Sequence, residues 1–193
     1  MQVPKPEVRQ RILDAAMEEF LVVGYRRASM RKIAKEAGIT VGNIYAYFSG
    51  KEDLLETILT PVLEELNKLV MMESRGGENL TPSIALFTES ITGMFLAHKK
   101  QFLILMNGSS HSKFANARTE LTVLVRQRLI TDLLPKLPTK AKDPLLADTL
   151  AVAVIEGILN IFRKYGGEKQ RLHLLLEEFL QIIFNDIGKR INI

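Results

Sequence analysis

Residues 29–51 read SMRKIAKEAGITVGNIYAYFSGK, and their spacing decides the fold. Met30, Ile33, Ala34 and Ala37 fall at i, i+3, i+4 and i+7, one face of a helix, and Gly38 supplies its stop. Thr40 then restarts a helix as its N-cap. The second helix is brief, Val41 to Tyr47, with Ile44 and Phe48 four residues apart to anchor it on the first. Two short helices around a glycine turn make a helix-turn-helix.

In such a motif the second helix enters the major groove of DNA by its first residues. That nominates Val41, Gly42 and Asn43 as the groove-facing side chains. Gly42 costs a helix about 1 kcal/mol relative to Ala, which a close approach to DNA explains. Asn43 can hold an adenine edge through two hydrogen bonds, and a Val41 methyl can touch a thymine methyl. Tyr45 and Tyr47 offer hydroxyls to phosphate. Lys51 opens the next helix, Ser29 caps the first, and free backbone amides at such ends also attract anions. From Arg26 to Lys51 there are six basic residues, Arg31 among them, against the single acid Glu36, a local net of +5. The whole chain carries only +4, so the remainder sums to about −1 and the basic excess is confined to this face. A packed helix pair with no DNA role is the bland alternative for the pattern alone.

The longer stretch GYRRASMRKIAKEAGITVGNIYAYFSGKEDLL resembles the N-terminal signature of the tetracycline repressor (TetR) family of bacterial transcription regulators. Ile12, Ala16 and Phe20, with Gly24-Tyr25 at the end of their helix, fit the same pattern. The resemblance covers roughly Arg9 to Leu55, and beyond that it is one of architecture. Gly50 and Ala46 depart from the usual residues, each touching one phosphate contact and neither touching the fold. The resemblance implies an all-α protein of about nine helices. An N-terminal three-helix bundle with the helix-turn-helix, residues 1–50, would precede a larger helical effector-binding and dimerisation domain, residues 51–193.

The remaining sequence reads as helices with clear punctuation. Leu54 to Met72 is amphipathic with Pro61 inside, which predicts a kink. Ser74-Arg75-Gly76-Gly77 reads as a linker, and Pro82 behind Thr81 opens a helix carrying Phe87, Ile91, Met94 and Phe95. Lys99–Asn107, a GSSHS loop, a long helix from about Lys113 to Leu134, and the loop LPKLPTKAKDP follow. Two final helices, about Pro144 to Tyr165 and Glu168 to Lys189, are apolar on more than one side. A surface helix needs one apolar stripe, so a second stripe needs a partner or a larger core. In the resembling family these helices form a four-helix dimer interface, which nominates Leu150, Val154, Ile158 and Phe162 with Leu172, Phe179 and Ile183.

The resemblance also implies a mostly apolar effector cavity. Its candidate walls are Phe87, Ile91, Met94 and Phe95, then Phe102, Met106 and Phe114, where Met and Phe suit adaptable binding; plain core is the alternative. His98, Glu156 and Asn160 are candidate polar groups for orienting a ligand, whose charge stays open. Catalysis has little to stand on. His98, His111 and His173 lie far apart without metal-ligand spacing, Ser109-Ser110-His111 lacks a nucleophile elbow, and no P-loop or dinucleotide fingerprint occurs. No metal and no cofactor is expected. A hydrophobic content of 47% with 25% charge is ordinary for a globular protein, and zero cysteines exclude disulfides. No membrane span is expected, and MQVPKPEVRQ lacks an apolar signal core, so the expectation is a cytoplasmic protein. The expected function is a dimeric DNA-binding regulator, a repressor released from a palindromic operator by a small molecule. The alternative is a helical ligand-binding protein or enzyme that reuses the fold.

Overall fold

A computed structural model describes residues 5–71, 81–137 and 143–184. Among these residues there is no strand, and nine α-helices follow one another: α1 Pro6–Arg27, α2 Met30–Glu36, α3 Val41–Ile44, α4 Lys51–Met71, α5 Thr81–Ala97, α6 Lys99–Leu103, α7 Ala117–Arg128, α8 Pro144–Lys164 and α9 Lys169–Phe184. The chain divides into two compact units, Met1–Glu64 with His98–Arg118, and Glu65–Ala97 with Thr119–Ile193.

In the first unit α1 packs on α2 and α6, and α2 on α3. Ile12, Ala16 and Phe20 of α1 are buried, as are Ile33 and Ala34 of α2, Ile44 of α3, and Phe48 just after it. The apolar spacing read from the sequence is therefore the core-facing side of each helix. Gly24 takes φ +73°, left-handed backbone that only glycine adopts without strain, so α1 bends near its end instead of stopping there. Between α6 and the loop that follows, Ile104–Gly108 widens into a π-helical turn packed on α1.

In the second unit α5 and α8 both pack on α9. Phe95 of α5 stacks on Phe162 of α8 with ring centroids 3.8 Å apart. At the other end Ala147 and Ala151 of α8 join Leu129, Leu133, Leu134 and Leu137 in one buried cluster. Gly157 of α8 lies against the Phe179 ring of α9, where any Cβ would overlap it.

Several expectations from the sequence change. The second motif helix ends at Ile44, and Tyr45–Tyr47 form a turn. α7 begins at Ala117 instead of Lys113, because Ser112 accepts from the Phe114 N–H and donates to the Ser109 carbonyl, holding residues 109–116 in turns. At its far end α7 passes into a π-helical turn, Leu129–Leu133, and a 3-10 turn, Leu134–Lys136. α8 is 21 residues long and, by length and composition alone, apolar enough to cross a membrane, contrary to the expectation that no such segment exists; its buried face packs on α9 and on the leucine cluster. The linker 74–77 and the chain beyond Phe184 lie outside the described residues.

Candidate nucleic-acid interface

The turn that opens the interface is built from backbone geometry. Gly38 sits at φ +69°, its N–H donates to the Lys35 carbonyl, and the Ile39 N–H donates to the Ala34 carbonyl. That pair of bonds is the Schellman ending, which satisfies carbonyls that α2 would otherwise leave open. Two residues on, the Thr40 hydroxyl accepts from the Asn43 N–H at 3.2 Å and caps α3. Four residues are too few for a helix to persist by itself, so α3 is held by this cap and by the burial of Ile44 and Phe48. Gly42 and Asn43 are consequently exposed, Val41 is half-buried, and Tyr45 is 55% exposed.

The flanking residues have more internal duties than the sequence suggested. Ser29 stands at the N-cap position of α2, yet its hydroxyl makes no cap bond. Its backbone N–H donates instead to the carboxylate of Glu19, only 6% exposed, which also pairs with Lys32 at 2.6 Å. One of the six basic side chains is thus partly neutralised from inside the unit, while Arg31 remains exposed. The Tyr47 hydroxyl accepts the Lys5 N–H at 3.0 Å, which ties the start of α1 to the turn after α3 and leaves the hydroxyl hydrogen to donate elsewhere.

Lys51 departs most from the simple phosphate-contact reading. Its Nζ donates to the Ala28 carbonyl at 3.1 Å and to the Arg26 carbonyl at 3.4 Å, and lies 4.6 Å from the centre of the Tyr25 ring. A cation there satisfies carbonyls at the end of α1 and meets the negative end of its dipole. The ammonium has three N–H donors, so one remains for a phosphate. Tyr25 in turn donates to Glu52, whose other oxygen accepts the Lys113 N–H at 3.0 Å. Burial, the bond to Glu52 and its charge push the Tyr25 phenol up to about 12. Burial tends to raise the Glu52 carboxyl, but the Tyr25 hydroxyl, the Lys113 N–H and the charges of Lys113 and Lys51 outweigh it and hold it below the usual carboxylate range.

The other expected sites are distributed unevenly. Phe87 is half-buried, and Ile91, Met94 and Phe95 are buried on α5 of the second unit, whereas His98, Phe102, Met106 and Phe114 belong to the first. Glu156 is half-buried and Asn160 exposed on α8. Sequence reading missed Thr88, whose hydroxyl is buried on α5 without a hydrogen-bond partner, and Thr92, whose hydroxyl donates to the Thr88 carbonyl. The residues expected at a dimer interface differ in exposure. Val154, Ile158, Phe162 and Leu172 are already buried within one chain, and Leu150, Phe179 and Ile183 are half-buried. α5 packs on α9, and Leu146, Leu150 and Phe184 lie against the leucine cluster. The apolar positions left exposed on α8 and α9 are Leu145, Val152 (52%), Leu174, Leu175 and Ile182 (70%). Ser109 is buried and its hydroxyl donates to the Leu105 carbonyl at 2.7 Å, closing the π-helical turn. Among the described residues no cluster of three His, Cys, Asp or Glu could hold a metal ion.

Comparisons with known proteins converge on the same segment. Residues 12–58 match the profile of the bacterial regulatory proteins of the tetR family. The chain is 45% identical over 53 residues to the HTH-type transcriptional regulator SrpR of Pseudomonas putida, covering 28% of this chain and 25% of that one. It is 30% identical over 122 residues to the uncharacterized HTH-type transcriptional regulator YhgD of Bacillus subtilis, covering 62% and 57%. The matched stretches thus span from a quarter to somewhat over half of these relatives. The fold of the whole chain is similar to the crystal structure of NalD, the secondary repressor of the MexAB-OprM multidrug efflux pump in Pseudomonas aeruginosa, with a TM-score of 0.61, 23% identity, and coverage of 90% of this chain and 94% of that one.

Proposed function

We propose, from the match of residues 12–58 to the profile of the tetR-family bacterial regulatory proteins, that the chain is a dimeric DNA-binding transcription regulator of that family, a repressor that a small molecule releases from a palindromic operator. The observation that carries this reading is the exposed start of α3, with Gly42 and Asn43 facing outward from a helix fixed by the Thr40 cap and the buried Ile44. Val41, Gly42 and Asn43 read base edges; Ser29, Arg31, Thr40, Tyr45, Tyr47 and Lys51 hold phosphates. Residues 1–50 serve DNA, and residues 51–193 serve the effector and the second subunit. The protein works in the cytoplasm, on DNA, and catalyses no reaction.

The partner subunit is met on α8 and α9 through the exposed Val152, Leu175 and Ile182. The effector site draws on Phe87, Ile91, Met94 and Phe95 of α5, with Thr88 as a polar anchor. A buried hydroxyl without a partner costs about 1–3 kcal/mol, and a ligand that supplies the missing bond recovers it. Glu156 and Asn160 of α8 are the further ligand-site residues proposed in the same unit. A ligand releases DNA only as far as it prefers the form that binds DNA poorly, and a 100-fold preference supplies about 2.7 kcal/mol.

The test is selection of duplexes from a randomised pool by the full-length chain, followed by anisotropy titrations of the selected duplex. Asn43→Ala should relax base preference at one position in each half-site, at about 1–3 kcal/mol of discrimination. Lys51→Ala should lower affinity for every sequence and reduce the salt slope by about 0.9. Unchanged affinity and preference in both variants would refute the assignment.

A further inference from the structure

The polar contacts around Tyr25 continue past the DNA-reading residues to the loop 109–116. Glu52 and Glu56 occupy adjacent turns of α4. Glu52 accepts from the Tyr25 hydroxyl and the Lys113 N–H, and Glu56 pairs with the Lys113 ammonium at 2.6 Å. Tyr25 therefore stands between the loop 109–116 on one side and Lys51 on the other, and Lys51 grips the Ala28 carbonyl, two residues before α2. A second contact runs in parallel. The π-helical turn brings Gly108 so close to α1 that a Cβ on it would lie 3.3 Å from the Phe20 carbonyl, and one on Gly24 would lie 3.5 Å from the Gly108 carbonyl.

The loop has little else to hold it. His111 is exposed with φ +67°, a left-handed conformation that costs a residue with a Cβ about 1 kcal/mol or more. Ser110, Lys113, Ala115 and Asn116 are exposed as well. Segments with few buried side chains open most readily, so the seating of this loop rests on Ser109, the glycine contact and the bonds of Lys113.

We propose that the loop 109–116 is a latch on the DNA-binding unit: Lys113, acting through Glu52 and Tyr25, positions the end of α1 and so fixes where α2 and the recognition helix begin. Lys113, Glu52 and Tyr25 are positioning residues and touch no DNA. The inference rests on the DNA-binding reading, and its test separates the two.

The probe is the duplex selected by the wild-type chain, titrated by Tyr25→Phe, Lys113→Met and the double variant. Each single variant should lose about fivefold in affinity, inside the two- to thirtyfold range of substitutions that act through such networks. The double variant should lose about fivefold too, because Tyr25→Phe removes the Tyr25–Glu52 bond while Lys113→Met removes the Glu56 pair that seats the Lys113 backbone N–H on Glu52, and both lie on one path. The salt slope should not change in any of them. A 25-fold loss in the double variant, no loss in either single, or a slope reduced by about one in Lys113→Met, which would mark a phosphate contact, overturns the latch. Amide hydrogen exchange without DNA gives a second reading that survives if the wild type selects no duplex and the DNA-binding reading fails. Both single variants should speed exchange across residues 30–37, and unchanged exchange there also overturns the latch.

Discussion

Gly157→Ala should change the sign of its effect on stability with the residue at position 179. Gly157 lies inside α8, where Ala is favoured over Gly by about 1 kcal/mol because it narrows the unfolded chain's choices. Against that gain, the new methyl would sit within 2.8 Å of both Cε atoms of Phe179 and closer still to Cζ. The ring cannot stay where it is, and inserting a methyl into filled space costs typically about 1–3 kcal/mol. The balance is a net loss of up to about 2 kcal/mol. In a Phe179→Leu background the ring atoms are gone, only the propensity difference remains, and the same substitution should stabilise by about 0.5–1 kcal/mol. Urea unfolding followed by far-UV circular dichroism at one fixed protein concentration measures both legs of the cycle, so that any change in self-association is held constant. Equal destabilisation in both backgrounds, or stabilisation in the wild-type background, would refute the steric argument.

Thr88→Val replaces a buried, unpartnered hydroxyl with a methyl of similar shape and should stabilise the ligand-free protein by about 1 kcal/mol, read as a higher urea midpoint with an unchanged m-value. The Tyr25–Glu52 pair should shape stability at both ends of the pH scale. Tyr25, raised to about 12, contributes fully below its ordinary value of 10.0 and loses that contribution as pH climbs from there towards 12, so Tyr25→Phe should flatten the alkaline limb of the urea midpoint. Glu52, lowered, contributes above its ordinary 4.5 and loses that contribution as pH falls below it, so Glu52→Gln should flatten the acid limb. Val152→Glu with Ile182→Glu places charges on apolar positions that are exposed in one chain. Sedimentation should then give a folded monomer, and a dimer as tight as wild type would show that subunits meet elsewhere.

The helix-turn-helix was legible because everything that makes it is local. The Gly38 and Ile39 N–H groups end α2 on the Lys35 and Ala34 carbonyls, Thr40 caps α3 three residues ahead, and Ile44 and Phe48 bury one turn apart. Each of those signals spans no more than six residues, which a single sequence exposes. What stayed hidden depends on partners far along the chain. Lys51 looked like a phosphate ligand, and nothing near it in sequence reveals that carbonyls 23 and 25 residues earlier take its hydrogens. Glu19 looked like one more surface acid on α1, whereas it is buried beneath Ser29 and Lys32. Lys113 fitted the start of a helix, but Glu52 and Glu56, about sixty residues away, hold it in the loop. For α8 and α9 the pattern correctly marked two apolar sides. It could not tell which would be covered by α5 and the leucine cluster and which would be left exposed on Val152 and Ile182.

The brevity of α3 separates two kinds of selection. Its attachment to the rest of the unit runs through Thr40, Ile44 and Phe48, while Gly42 and Asn43 contribute nothing to the buried core. Substitutions at exposed positions away from caps and cores usually change stability by no more than about 0.5 kcal/mol. A lineage carrying this scaffold can therefore rewrite the residues that meet DNA almost without penalty to folding, and acquire new target sequences by drift at two or three positions. The residues that would resist such drift are the ones that never touch a base.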